Sequence, residues 1–529
     1  MYIYIYIYVY IYVLKTTQFN SYFFNLIYVF SFSIICSIPQ KITMGSESDQ
    51  LRIFFFPLPA PGHMIPMIDE ARLFAKRGVD VTIIITQGNA SFIQKIIDRE
   101  FEAGHKIRTH ILQFPSAQVG LPDGIENYNT ITSMNMGVPL FQGLGLLQKP
   151  IEQLLHEIRP DCIVSDMFYP WTLDVANKLG IPRLGFRGMS HISMCAEHCI
   201  KIHEPHKSAE SNVVLLPGLP HKIKMLISQL PDWSITTNDF TPLMDAVVDS
   251  EQRSYGMLMN SFHELENDYE QYFKTSMGLK AWSVGPVSLW VNRDFTHKAE
   301  RHKIACEYGE EHEIIDWLDS KQDNSVLYVG FGSLTMFPAT QLKEIAHGLE
   351  ASGHPFIWVI RKKETDEYKQ VFPKGFEERM RGSKRGFIIK GWAPQMVILD
   401  HPATGGFLTH CGWNSILEGI NAGLPMITWP LFAEQFFNEK LVTDVVRVGV
   451  SLGLKEWRQW GYEGTEVVKR QEVEKAVRLL MGDGEEAAEM RKRVSELKDA
   501  ANKAVEIGGS SQTNLMDLIN ELKALKIRN

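Results

Sequence analysis

The chain has 529 residues, 45% hydrophobic and 22% charged, with a formal net charge of −8 and a pI near 6.1. That length allows about two to four domains and a sizeable core. A mildly acidic chain with no long Lys/Arg run excludes the electrostatic footprint of a nucleic-acid binder. Its cysteines, Cys36, Cys162, Cys195, Cys199, Cys306 and Cys411, form no CxxC and no paired framework, as expected of reduced thiols in a reducing compartment. Cys195 and Cys199 can share a helix face, but no HxxxH or second cysteine pair accompanies them to build a metal site.

Tyr2–Val13 alternates Tyr with Ile or Val at period two. As protein, this is an uncharged, aggregation-prone strand. As coding sequence, it is what a TA-dinucleotide repeat yields when read as alternating TAT and ATA codons. Tyr22–Ile38 is apolar but interrupted by Asn25 and several serines, which leaves a signal anchor as the alternative. The expected start is Met44, ahead of the polar leader Gly-Ser-Glu-Ser-Asp-Gln, with residues 1–43 a non-native leader or disordered extension.

From Leu51 onward, apolar runs alternate with helical spacings. Leu51–Leu58, Val79–Thr86, Cys162–Ser165 and Arg183–Phe186 read as buried strands, with helices over Ile65–Lys76 and near Trp171–Leu179. A second series has strands at Ser325–Val329, Phe356–Ile360, Phe387–Ile389, Gly406–Thr409, Pro425–Trp429 and Val448–Leu452, and a helix near Ala339–Ala351. Such alternation predicts α/β architecture, with parallel sheets covered on both faces. The charged, mixed segment Asn292–Glu313 reads as a surface linker between domains at 44–291 and 314–510. Residues 511–529 are expected to form a helix packing back across both. Two doubly wound halves set their strand C-terminal edges around a shared cleft. Gly330-Phe-Gly332-Ser-Leu-Thr lacks the third glycine of a dinucleotide fingerprint, having Thr335 there, and no GxxxxGK[ST] loop occurs. Hydride transfer and ATP hydrolysis are disfavoured accordingly.

The segment Trp392–Gln435 reads WAPQMVILDHPATGGFLTHCGWNSILEGINAGLPMITWPLFAEQ. Its strand Gly406–Thr409 runs into His410-Cys-Gly412-Trp413-Asn414-Ser415, where a helix starts with Asn414 or Ser415 as a candidate cap. Free N–H groups and the helix dipole make such a turn an anion site. His410 adds a neutral or charged donor. Glu418 lies one turn in, on the face of Asn414, and suits paired ribose hydroxyls. Trp392 offers a flat face to a base, and Glu434-Gln435 combines an acceptor with a donor–acceptor group for sugar hydroxyls. Singly, a Trp beside a Pro is usually packing and a His after a strand is usually a satisfied turn residue. The combination in this order is far more specific.

The segment resembles, end to end, the secondary-product glycosyltransferase signature of plant family-one UDP-glycosyltransferases, and the likeness extends over residues 51 to 525. The resemblance implies a GT-B fold, two Rossmann-like domains facing across a cleft, with the donor held mainly by the second and the acceptor by the first. It implies that Trp392 stacks on uracil, that the Ala393 backbone and Gln395 serve the base region, and that Glu418 holds the ribose. His410, Asn414, Ser415 and Ser333 would hold the diphosphate, and Trp413, Glu434 and Gln435 would meet the hexose. Two positions depart from the pattern: Glu434 stands where Asp is common, and Gly330 where Ser is common.

The base is expected upstream. In Pro59-Ala-Pro61-Gly62-His63-Met64-Ile65-Pro66, His63 falls at a strand C-terminal edge just before a helix. An acceptor hydroxyl needs a base with a pKa near neutral, which His supplies. A loop His alone is usually not catalytic, but in the family pattern GHxxP this His is the base. Its orienting acid should be Asp166, which follows the strand Cys162–Ser165 into the same cleft and stands where the family's Asp holds the His. Asp161 precedes that strand and belongs to the opposite edge.

The implied reaction is an inverting displacement that gives a β-O-glycoside, with UDP-sugar as co-substrate and no cofactor or metal required. In the family, Gln435 goes with glucose. The donor box holds no Arg or Lys for a glucuronate, though UDP-galactose and UDP-glucuronate remain the alternatives. Leu216–Pro220, Gln229–Trp233, Gly285–Val287 and Phe436–Val442, with Gly62–Asp69, are similar to a subgroup acting on triterpenoid saponins, steroids and flavonoids. Phe168, Phe186, Met189, Met194 and Trp290 are candidates for the acceptor wall or for core. The expected partners are the donor and a small acceptor, without nucleic acid or a stable membrane span, in a cytoplasmic monomer. A non-catalytic UDP-sugar-binding module is the reading from another class; loss of His63 or Asp166 would support it, and both are present. A membrane-anchored glucuronosyl enzyme of the animal type would need a C-terminal span, whereas 511–529 is amphipathic and ends in charge.

Overall fold

The computed structural model describes residues 50–131, 134–292, 310–360, 372–459 and 466–528. The expected leader at 1–43 and the linker residues 293–309 lie outside these. The chain divides into a unit Met1–Gln50 and a unit Leu51–Asn529, and the second carries the fold and the site.

Among the described residues, a seven-stranded sheet uses β1 (Arg52–Phe56), β2 (Asp80–Thr86), β3 (Ile107–Leu112), β4 (Cys162–Asp166), β5 (Arg183–Phe186), β8 (Gly256–Met259) and β9 (Ala281–Ser283). A small antiparallel hairpin, β6 (Val213–Leu215) and β7 (Lys224–Leu226), stands apart from it. A six-stranded sheet uses β10 (Val326–Gly330), β11 (Phe356–Ile360), β12 (Gly386–Lys390), β13 (Thr404–Thr409), β14 (Met426–Thr428) and β15 (Gly449–Ser451). Their orders are β3-β2-β1-β4-β5-β8-β9 and β12-β11-β10-β13-β14-β15, and neighbouring strands in both sheets run parallel. In each, the winding direction reverses at one place, between β1 and β4 and between β10 and β13. Open parallel sheets bind ligands outside the carboxyl ends of strands at such switch points.

The strands are apolar because both faces are covered. Ile53 and Phe55 of β1 pack on one face with Val81, Ile83 and Met67, while Phe54 and Phe56 pack on the other with Ile84 and Ile163. The helix after β1 spans Pro61–Ala75, four residues earlier than its periodicity predicts, so His63 sits in its first turn. Pro61 stands at the helix start, where its missing N–H costs nothing and its fixed φ fits. The last helix, Ser510–Arg528, returns to the first half: Leu515, Leu518, Ile519 and Leu522 join the core around β1 and β2. Ser511 Oγ donates to Gly285 O (2.6 Å), Asn514 Nδ2 to Ser283 O (3.0 Å) and Lys526 Nζ to Asp161 Oδ2 (3.1 Å). Among the described residues, no helix is long and apolar enough to cross a membrane.

Candidate active site

Both switch points deliver site residues. His63 follows β1 and Asp166 ends β4, so adjacent parallel strands bring them together across 103 positions of sequence. His63 Nδ1 donates to Asp166 Oδ2 at 2.8 Å, and Phe168 N donates to Asp166 Oδ1 at 3.1 Å. Asp166 is fully buried and His63 is 21% exposed, with Nε2 left as its acceptor atom. Burial disfavours the imidazolium. The Asp166 charge, its hydrogen bond and the nearby Glu434 outweigh this and hold the His63 pKa above its ordinary value. Asp161 lies at the other edge, accepting from Arg52 N (2.7 Å) and Lys526 Nζ.

On the facing sheet, Gly332-Ser333 follows β10 and His410 follows β13. The helix Trp413–Ala422 has Gly412 at its N-cap and no side-chain cap, so neither Asn414 nor Ser415 takes the predicted capping role. Its first N–H groups therefore stay available to an anion. The His410 ring fills the turn: a Cβ on Gly332 or Gly412 would come within 2.6 or 2.5 Å of His410 Nε2. Burial lowers the His410 pKa to about 4, so the imidazole is neutral near pH 7 and the charged alternative falls away.

Behind this turn, Gln395 Nε2 donates to Glu418 Oε2 (2.7 Å) and lies 3.4 Å from Ser415 Oγ, while its Oε1 accepts from Tyr328 OH (3.2 Å). Tyr328, on β10, was not foreseen; no spacing links it to Gln395. Ala393 is buried and its carbonyl accepts from Gln395 N (2.8 Å), while Trp392 is half-buried just ahead of it. Glu434 Oε1 accepts from Asn438 Nδ2 (3.2 Å). Burial chiefly raises the Glu434 pKa, and His63 opposes that rise. Gln435 Oε1 accepts from Leu431 N (2.9 Å) and Phe432 N (3.1 Å), which leaves the Nε2 donor of its amide for a ligand.

Hydrogen bonds cross between the halves at the site itself. Asn414 Nδ2 donates to Gly62 O (2.8 Å), beside His63. Ser190 Oγ donates to Asn438 Oδ1 (2.6 Å), which ties the first half to the residue that holds Glu434. The Trp413 indole, 2% exposed, donates to Asn260 O (2.7 Å). That side chain joins the two halves, and a contact with hexose from this position would come through its backbone.

An aromatic surface starts at His63. Phe168 lies 5.8 Å from the His63 ring, and Phe141 and Phe240 each lie 6.2 Å from Phe168. Met167, Met189 and Met244 pack behind Phe168 and Trp233. Of the five wall candidates, Phe168 and Met189 are here, whereas Phe186, Met194 and Trp290 lie in the domain cores. Phe141, Trp233 and Phe240 were missed, since they come from separate segments with no shared periodicity.

Two doubly wound sheets joined at their switch points are the GT-B fold of nucleotide-sugar transferases. The family model described as UDP-glucoronosyl and UDP-glucosyl transferase matches residues 146–461. Soyasapogenol B glucuronide galactosyltransferase of Glycine max is 50% identical, over 92% of this chain and 98% of its own length. Scopoletin glucosyltransferase of Nicotiana tabacum is 45% identical, over 89% and 98%. The crystal structure of Glycyrrhiza uralensis UGT73P12 with glycyrrhetinic acid 3-O-monoglucuronide superposes with a TM-score of 0.86 at 49% identity, covering 90% of this chain and 97% of that one. That of Medicago truncatula UGT71G1 with UDP-glucose gives 0.74 at 25%, covering 91% and 100%. The chain belongs to the UDP-glycosyltransferase family, and it is an enzyme that uses a UDP-sugar as co-substrate.

Proposed function

We propose that this enzyme transfers glucose from UDP-glucose to a hydroxyl of a bulky apolar plant metabolite, of the triterpenoid saponin or flavonoid kind, with inversion to a β-O-glycoside. The observation that carries the reading is the His63–Asp166 pair, set between an uncapped helix N-terminus and an aromatic surface. Asp166 accepts from His63 Nδ1 and so fixes the tautomer with Nε2 as base. His63 takes the acceptor's hydroxyl proton as that oxygen forms its bond to the anomeric carbon. The bond from that carbon to the diphosphate oxygen breaks on the opposite face, and UDP leaves with the electron pair. The developing negative charge falls at the Trp413–Ala422 helix start, where Asn414, Ser415, Ser333 and the neutral His410 supply further hydrogen-bonding groups.

Trp392, Ala393 and Gln395 are assigned to the base, Glu418 to the ribose, and Trp413, Glu434 and Gln435 to the hexose. Glucose is favoured by Gln435 and by the glucosyltransferases among the relatives. The galactosyltransferase of Glycine max favours galactose as the second reading. The acceptor class rests on the apolar surface at His63 and on the saponin, flavonoid and anthocyanin enzymes among the relatives. The proposed setting is the cytoplasm, and the proposed state a monomer.

The test is a donor screen by mass spectrometry, with UDP-glucose, UDP-galactose and UDP-glucuronate against triterpenoid, saponin and flavonoid aglycones. Glucosylated product is expected. Transfer from UDP-galactose or UDP-glucuronate alone would replace the donor, and transfer to none of these aglycones would overturn the acceptor class.

A further inference from the structure

Leu454–Trp457 belongs to the half that carries the donor box, but it is seated on the other half. Gln229 Nε2 donates to Leu454 O (2.7 Å), Ser228 Oγ to Lys455 O (2.5 Å), and Trp457 N to Ser228 O (2.7 Å). Trp457 is 8% exposed, and its Nε1 donates to Ala433 O at 2.9 Å, one residue before Glu434. Its ring stands edge-on to Trp233, with centroids 5.1 Å apart and planes at 85°. Trp233 in turn meets Phe240 at 5.6 Å, Phe240 meets Phe168 at 6.2 Å, and Phe168 meets His63 at 5.8 Å. Phe168 and Trp233 are half-buried and Phe240 is 36% exposed, so this run of rings offers apolar surface beside the base.

Trp233 stands on a helix of four residues, Asp232–Ile235, too short to hold its own geometry. Trp457 supplies a fixed partner on one side: its backbone is bonded to Ser228 and its indole to Ala433. A single side chain of the donor-binding half thus touches the far end of the aromatic run and the residue next to Glu434.

We infer that Trp457 is a positioning residue for the acceptor, acting through Trp233, by which the donor-binding half selects extended, rigid apolar skeletons. A skeleton long enough to lie along Phe168, Phe240 and Trp233 is held with a hydroxyl at His63. A single-ring phenol stops at Phe168 and does not feel Trp457. This rests on the proposed acceptor site.

The experiment uses the full-length enzyme with UDP-glucose and two acceptors, a triterpenoid and a single-ring phenol. Trp457→Leu is expected to raise KM for the triterpenoid about tenfold relative to that for the phenol, or about 1.4 kcal/mol. Trp457→Phe keeps a ring edge against Trp233 and should recover most of the lost affinity. Trp233→Leu should reproduce the acceptor-selective loss, and together with Trp457→Phe it serves if Trp457→Leu does not fold. Equal losses on both acceptors, or none on either, overturn the inference and leave the proposed function standing. A wild-type enzyme that transfers to no acceptor overturns both.

Discussion

Burial alone would favour a neutral His63, and the fully buried Asp166 carboxylate pulls the other way. The imidazole's pKa is raised, so the free base is lost as pH falls through that raised value, and kcat/KM should show an acid limb there. Asp166→Asn removes the negative charge that favours the imidazolium. The limb should then move to lower pH, with kcat reduced. His63→Ala should lower kcat by about 10²-fold or more while UDP still binds in calorimetry. A limb that does not move in Asp166→Asn would remove the aspartate from this role. The pair was legible in the sequence because each residue sits at the end of a recognisable strand and stands where the resembled family has its base and orienting acid. What Trp413 does with its indole was not legible. A family pattern assigns a position to a ligand, but the direction of a side chain depends on what packs around it, here Asn260 from 153 positions away.

At the scale of elements, strands such as β1, β4 and β10 were readable because both faces are covered and their sequences are mostly apolar, whereas β8, just as buried and apolar, was not read. The strand β3, with its exposed Arg108 and half-buried His110, has no such signature, and β9 is only three residues long. The start of the first helix was misplaced because Pro-Ala-Pro-Gly reads as a turn, although a proline at a helix start is equally at home there. The aromatic surface proposed for the acceptor was the least readable part. Phe141, Phe168, Trp233, Phe240 and Trp457 come from five segments, and only the fold brings them together. The entry to the helix Trp413–Ala422 makes a sharper prediction. Gly412 has an ordinary φ of −61°, so its freedom is not needed, but a Cβ there would lie 2.5 Å from His410 Nε2. Overpacking of this kind costs about 1–3 kcal/mol. That is a loss of folding stability; by displacing the His410 ring, Gly412→Ala should in addition raise the Kd for UDP. Fluorescence or calorimetric titration measures it, and unchanged affinity would show that the His410 position is immaterial to the donor.

Across the whole molecule, the two halves are joined by more than the segment between them. The helix Ser510–Arg528 closes the chain onto the opposite half, with Leu515, Leu518, Ile519 and Leu522 at most 1% exposed. Burial of such side chains is worth about 1.5–3 kcal/mol each, so the four together rival the entire stability of a typical domain, about 5–15 kcal/mol. Truncation after Gly509 should leave the first half unfolded or strongly destabilised, seen as loss of the cooperative thermal transition by circular dichroism. A truncated chain that melts like the full one would show that this packing is dispensable.

The helix that opens at Gly412 with no side chain to close it has a consequence for the life of the protein as well as for its chemistry. On the proposed reading, the group that completes that terminus is the substrate's own diphosphate. Saturation at about 100 times Kd then adds about 2.7 kcal/mol to the folded state. The enzyme without its donor is then the less stable form, and bound UDP-sugar should slow its proteolysis.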